Sequence, residues 1–192
     1  MFMMLLVAAA AGLTPQTNHS ATTLFDAQQN VSQLYGVPID LTLKRLKRSG
    51  LRYTIGREFS EGNQYTFYTV HAPNGIRVKV SFNDDGNLHR AETSSRNAVG
   101  PRGIGVGSTL SAARAAWPSG VFLYGFEDGA FATFVTGSNV LLRFNPDDLP
   151  AQAFERDWCK SHSIKVPELR VQIMSVYPKP NPIPEDAKIS CP

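Results

Sequence analysis

The feature that most constrains this chain is an internal repeat. The segment 36–43 (GVPIDLTL) resembles the segment 103–110 (GIGVGSTL), and Gly62 and Phe67 stand at the same spacing from Gly129 and Phe134. Self-similarity at a fixed spacing is typical of a supersecondary unit that occurs more than once. The sequence therefore predicts two tandem units, over residues 22–102 and 103–177.

Each unit is predicted to begin with one short helix. In the first unit, Leu43 and Leu46 lie on one side of the helix, and Gly50 is a candidate for its left-handed end. In the second unit, Ser108 is the predicted N-cap, and Gly120 is placed at the end. The shared apolar face of the second helix consists of Leu110, Ala113 and Trp117.

Alternation of apolar and polar residues after each helix predicts strands. The eight predicted strands cover about 51–58, 64–70, 76–82, 88–94, 121–126, 130–136, 139–144 and 169–176. A helix over Leu24–Tyr35 is expected before the first unit, and a helical insertion near 146–166 in the second. The predicted fold class is α+β, with two tandem repeats that each pack one helix on a four-stranded antiparallel sheet.

The segment 103–110 also carries a family resemblance. Its alternating glycines and Ser108-Thr109, running directly into a helix, resemble the start of the repeat in secreted β-lactamase inhibitor proteins and in small outer-membrane lipoproteins of the SmpA/OmlA type. The resemblance covers residues 24–176, although this chain lacks the lipid-bearing cysteine of the lipoproteins. It implies, by analogy only, a protein that binds a protein partner across its sheet.

The two ends of the chain carry signals of their own. Met1–Leu13 is an uncharged apolar run, shorter than the roughly 20 residues that span a bilayer, and it fits the core of a signal peptide over 1–21. A disordered or buried N-terminal segment is the alternative. Export favours a disulfide between Cys159 and Cys191, the only two cysteines. Residues 178–192 are predicted to form a Pro-rich tail.

Composition excludes several classes of protein. The chain is 42% hydrophobic and 18% charged with a net charge of +3, which is an ordinary globular balance. Two cysteines are too few for a four-cysteine zinc site, and we expect no metal and no cofactor. The densest charge is a basic helix face, which is either a solvated face or an attachment to anionic surfaces; it consists of Lys44, Arg45, Lys47 and Arg48. Predicted export argues against a nucleic-acid partner.

Comparison of the two units suggests which strand face is buried. Positions that are apolar in both units are predicted to pack on the helices; they are Leu51, Tyr53, Phe67, Val78, Val80 and Phe82 with Val121, Leu123, Phe134, Val140, Leu142 and Phe144. The opposite face mixes aromatic and basic residues, which are typical of protein-binding hot spots. The predicted partner-binding residues are Arg52, Tyr68, Arg77, Lys79, Phe122, Tyr124, Phe131 and Arg143. Cover by another part of the chain is the alternative.

These observations predict an exported, soluble, non-enzymatic protein of the periplasm or outside the cell. It would bind a protein partner of the cell envelope through the outer face of its sheet, and the family resemblance implies an inhibitor-like role. One alternative is a small periplasmic hydrolase with a site near His71 and His89. Another is an envelope component that its basic helix holds at anionic surfaces.

Overall fold

The computed structural model describes residues 30–60, 62–126, 130–154 and 168–183. Four sequence predictions concern residues outside these ranges: the signal peptide over 1–21, the Cys159–Cys191 disulfide, most of the insertion, and the end of the Pro-rich tail.

The described residues form ten strands and two short helices. They are β1 (Gln33–Leu34), β2 (Val37–Pro38), α1 (Leu43–Arg48), β3 (Tyr53–Ser60), β4 (Asn63–His71), β5 (Arg77–Phe82), β6 (Leu88–Thr93), α2 (Leu110–Ala116), β7 (Val121–Phe126), β8 (Ala130–Val135), β9 (Val140–Phe144) and β10 (Val171–Val176). Single 3-10 turns cover Pro73–Gly75, Pro101–Gly103, Pro146–Asp148 and Ala151–Phe154.

The predicted fold class is wrong. The protein is mostly β, and β3 to β10 form one eight-stranded antiparallel sheet in the order β3-β4-β5-β6-β10-β9-β8-β7, while β1 and β2 form a separate two-stranded sheet. The strands of the two predicted repeats do not make separate sheets because β6 and β10 pair with each other, with Ser175 opposite Glu92. This pairing removes two strand edges that would otherwise be unpaired.

The helices begin and end near the predicted residues, but not all with the predicted caps. Thr109, not Ser108, is the N-cap of α2, because its Oγ1 accepts a hydrogen bond of 3.1 Å from the Ala112 N–H. Ser108 instead accepts the Gly105 N–H through its Oγ at 3.0 Å. Gly120 does not adopt a left-handed conformation; a Cβ there would lie 2.4 Å from the ring of Phe134, so the packing requires glycine.

Neither additional predicted helix is present in the described residues. From Asn30 onward the chain is not helical: β1 and β2 form a hairpin whose two turn residues, Tyr35 and Gly36, both have positive φ. A turn with that geometry matches the twist of a hairpin and is incompatible with a helix running to Tyr35. In the insertion, residues 146–154 form the two 3-10 turns and not a longer helix.

A single apolar core covers one face of the large sheet. Leu46 of α1 and Trp117 after α2 are each 1% exposed, and they belong to the same buried cluster as Val80, Ala91 and Leu142 of the strands. Burial of such side chains contributes about 2 kcal/mol each to folding. None of the described helices is long and apolar enough to cross a membrane.

Asn139, which is fully buried, joins distant parts of the chain. Its Nδ2 donates to the Val31 carbonyl at 2.8 Å and to the Tyr177 carbonyl at 2.9 Å, while its Oδ1 accepts the Val31 N–H at 2.8 Å. Its own N–H donates to Oδ1 of Asn30 at 3.2 Å. The amide group therefore attaches the start of the described chain to the residue that follows β10.

Candidate functional site

The face of the large sheet opposite the helices is the candidate site, and we call it the open face. Register identifies its residues, because residues paired across an antiparallel ladder point to the same side. Lys79 is opposite Glu92, Glu92 is opposite Ser175, and Ser175 is opposite Leu141. Its central side chains are those of Phe67, Thr69, Lys79, Arg90, Glu92, Leu123, Phe131, Thr133, Leu141, Arg143, Ile173 and Ser175. None of these side chains belongs to the apolar core.

Three of the predicted partner-binding residues are not on the open face. Tyr68 is opposite Val80, and Phe122 is opposite Phe134, so both point toward the helices and are buried. Tyr124 is on the same side and packs against the core with its ring 5.7 Å from that of Phe122. Burial also raises the pKa of Tyr124.

The error has a physical cause. Phe67, Val121 and Leu123, predicted to be core residues, lie on the open face, so the face assignment is reversed in β4 and β7. A shift of one residue moves every side chain of a strand to the other side. Consecutive apolar residues, as in Phe67-Tyr68, give no alternation that could fix the register.

The other predicted residues lie on or beside the open face. Lys79, Phe131 and Arg143 are half-buried within it. Arg52 and Arg77 are exposed at its margin, where each lies beside His71 in the register of β4.

The centre of the open face is an ionic network around Glu92, whose side chain is only 10% exposed. One oxygen, Oε2, contacts Arg90 Nε at 3.1 Å and also forms a close ion pair with Nη2 of Arg143. The other oxygen, Oε1, is 3.6 Å from Lys79 Nζ, which in turn is 2.5 Å from Glu58 Oε2. Three cations thus face two carboxylates, and the network links β3, β5, β6 and β9.

Aromatic rings flank this network in both halves of the sheet. The ring of Phe67 lies over Gly56, where an added Cβ would be 2.2 Å from its Cζ, and the ring of Phe131 covers Gly125 in the same way, with a corresponding distance of 2.9 Å. Lys79 Nζ is 4.4 Å from the centroid of the Phe67 ring, a cation–π contact. The open face therefore combines fixed charges with aromatic surface.

A depression of about 370 Å³ adjoins the network. Thr69, Arg77, Lys79 and Glu92 line one part of it, and the remaining wall consists of residues 93–95 and Ile173. Hydroxyl groups and charges dominate this lining, so it suits polar groups of a ligand better than an apolar one.

The other predicted sites are separate from the open-face network. The basic residues Lys44, Arg45, Lys47 and Arg48 of α1 are all exposed, and Arg45 pairs with Asp40 at 2.9 Å. His71 pairs with Arg77 at the start of β5, whereas His89 adjoins Leu88, which pairs with Phe82 at the end of β5. The structure therefore places the two histidines at opposite ends of the strands and does not bring them into one cleft.

Sequence reasoning missed Glu58, Arg90 and Glu92, which complete the network. The sequence does contain one signal for this network. Arg90 and Glu92 are two residues apart in β6, so alternation places their opposite charges on the same face of the strand. A buried carboxylate requires cationic partners. Pairing Glu92 with Arg143 could not be predicted, because it depends on the joining of β6 to β10.

Replacement of Glu92 by glutamine is expected to lower the free energy of unfolding by about 2 kcal/mol, because it leaves three neighbouring cations with too little counter-charge. Urea titrations at low and high NaCl would measure the loss, which we expect to change little with salt because buried ion pairs are screened weakly. The matched control is Glu58→Gln, since Glu58 is 42% exposed and, among the described residues, forms an ion pair with Lys79 alone. Its expected loss is below about 1 kcal/mol. Equal losses for both variants would contradict the central role of Glu92.

Comparisons with known proteins do not assign this chain to a family or to a function. No protein-family model and no curated protein matches it. Among solved structures, the uncharacterized protein YfeY from Escherichia coli is similar, with 16% sequence identity and a TM-score of 0.46 over 78% of this chain and 97% of that one. Similarity at this level assigns neither a fold family nor a function.

Proposed function

We propose that this chain is an exported, non-enzymatic binding protein that engages a protein partner of the cell envelope through the open face. The observation that carries the proposal is the ionic network around Glu92, flanked by the rings of Phe67 and Phe131 and separate from the apolar core. Arginine and aromatic residues supply most of the energy in protein interfaces. An inhibitor-like role is the form that the family resemblance suggests.

Three features support a protein partner over a small substrate. The cations and aromatic rings extend from β4 to β8, which is wider than a single pocket. The side chains of the network hold one another in place, so binding would cost little side-chain entropy. The histidines of the alternative hydrolase site lie far apart along the strands.

The charge of the face indicates the chemistry of the partner. Arg52 and Arg77 add positive charge around the network, in which three cations already outnumber the two carboxylates of Glu58 and Glu92. Complementarity then favours a partner surface with exposed carboxylates and an apolar centre. Export is part of the proposal and is supported by the apolar run over Met1–Leu13.

Capture from an envelope extract by the immobilised chain tests the proposal. The test variant is Arg77→Glu with Thr133→Glu, which places negative charge on the open face without removing a network residue. We expect it to weaken retention of the partner at least tenfold, whereas the wild-type chain retains one specific protein. Circular dichroism and thermal unfolding of each variant would exclude loss of the fold as the cause.

The matched control is Lys47→Glu with Lys44→Gln, which changes the net charge by the same amount on α1, away from the open face. Unchanged retention by this control, together with loss in the test variant, supports the site. Loss in the control alone would favour the alternative in which the basic helix attaches the protein to anionic surfaces. Full retention by the test variant would contradict the proposed face.

A further inference from the structure

The outer edge of β3 is not paired with any described strand. β3 is the terminal strand of the large sheet and pairs only with β4. The His71 N–H donates to the Arg52 carbonyl at 2.9 Å, so the even-numbered residues of β3 bond to β4. The backbone N–H and C=O groups of Tyr53, Ile55, Arg57 and Phe59 therefore point away from the sheet.

This edge has little of the usual protection against strand pairing. Natural edge strands carry prolines, bulges, charged side chains or short lengths that limit association, and of these β3 has only the charges of Arg57 and Glu58. β3 has eight residues, contains no proline, and pairs with β4 without a register shift. Ile55 is 62% exposed and Phe59 is 77% exposed, so apolar side chains accompany the free backbone groups.

We propose that β3 pairs in antiparallel fashion with β3 of a second copy of this chain, about a two-fold axis at Gly56. This register places Thr54 opposite the second copy's Glu58, and Glu58 becomes the diagonal neighbour of the second copy's Arg52. Arg52 and Glu58 have opposite charges and point to the same side, so the two-fold axis produces the attraction twice. Gly56 at the axis brings no side chains into conflict.

The other side of the strand agrees with the same register. Phe59 lies opposite the second copy's Tyr53, which is an aromatic cross-strand pair of the kind that stabilises sheets. Ile55 lies opposite the second copy's Arg57, whose aliphatic stem can cover it. A two-fold axis at Arg57 would instead place two arginines opposite each other. An axis at Ile55 would place Arg52 directly opposite the second copy's Glu58, but it would lose the Phe59–Tyr53 pair and leave Tyr53 opposite Arg57.

The charges of β3 favour a second copy of this chain as the partner at this edge. Pairing about Gly56 is self-complementary in charge, because one strand supplies both Arg52 and Glu58. It also preserves the direction of the open face, so both copies present that face on the same side of a continuous sheet. A strand from another protein would have to supply the same two charges at the same spacing.

Light scattering and sedimentation of the full chain over a range of concentrations test the proposal. We expect a reversible dimer, and we expect Arg57→Pro to weaken it at least tenfold, since proline removes an outward N–H that β4 does not use. Thermal unfolding that stays near the wild-type value would show that the variant still folds. A wild-type chain that is monomeric at every concentration, or a dimer that Arg57→Pro leaves unchanged, would overturn the proposal.

A charge-exchange experiment tests the attraction between Arg52 and the second copy's Glu58. Arg52→Glu alone and Glu58→Arg alone each place like charges together twice in a homodimer, so each is expected to be monomeric. An equal mixture of the two variants restores both attractions, and native mass spectrometry should detect the mixed dimer. Failure of the mixture to dimerise would overturn this pairing. If the wild-type chain is monomeric and instead binds a strand of another protein at β3, the proposal that a second copy occupies this edge is overturned.

Discussion

Replacement of Asn139 by aspartate should lower the free energy of unfolding by about 4 kcal/mol at pH 7, a loss that would unfold many small proteins. The change is isosteric, yet it removes the donor that serves the carbonyls of Val31 and Tyr177. A carboxylate would then face two carbonyl oxygens in a position with no solvent exposure. Both the lost hydrogen bonds and the buried charge act against folding.

The sign of the pH dependence follows from the same contacts. Burial favours the protonated acid, so the introduced group would keep its proton to a higher pH in the folded state than in the unfolded chain. The loss should therefore be smaller at pH 4 than at pH 7, because near pH 4 about half of the unfolded chains already carry the proton. Urea unfolding at both pH values measures this difference.

The control for this variant is Asn83→Asp. Asn83 is exposed, and its Oδ1 accepts the Asn87 N–H at 2.8 Å, a role that a carboxylate retains. We expect a change within about 0.5 kcal/mol. A similar small change for Asn139→Asp would show that the amide does not attach the two segments as described.

Replacement of Gly105 by alanine should destabilise the protein by about 3 kcal/mol. Gly105 pairs with Val99 in an isolated antiparallel bridge, and an added Cβ would lie 1.8 Å from the Ala98 carbonyl oxygen. That atom belongs to the backbone, which cannot move aside as a flexible side chain can. Thermal or urea unfolding of the variant measures the loss.

A neighbouring glycine provides the matched control. Gly107 has φ +91, and a Cβ there would meet no atom within 4 Å, so alanine meets only the conformational cost of a positive φ. The expected loss is about 1 kcal/mol. Equal losses at Gly105 and Gly107 would mean that backbone conformation, and not the close approach to Ala98, explains the requirement for glycine.

Local structure was largely predictable from the sequence. All eight predicted strands of the large sheet occur, with ends within two residues, because each carries alternating or β-branched residues between turn signals. The arrangement of the strands was not predictable in the same way. Whether two four-stranded sets remain separate depends on contacts between Glu92 of β6 and Ser175 of β10, which lie far apart in sequence.

The candidate site was predictable only in part. Lys79 and Arg143 were assigned to the correct face because each charge stands between two buried apolar residues of its strand. Phe131 was also assigned to the correct face, although β8 carries aromatic residues on both sides. Tyr68 and Phe122 were misassigned because aromatic residues occupy both sides of their strands. Glu92 was missed because two of its three cationic partners, Lys79 and Arg143, lie on other strands, and those contacts leave no pattern in the local sequence.

The position of β10 has a consequence for the synthesis of the protein. β10 is the last described strand along the chain, yet it lies in the middle of the sheet, between β6 and β9. During translation, therefore, no ladder can connect the earlier strands β3–β6 to β7–β9 until residues 171–176 have been made. A chain that stops before Val171 is not a smaller version of this fold: it is two sets of strands, each with an exposed inner edge.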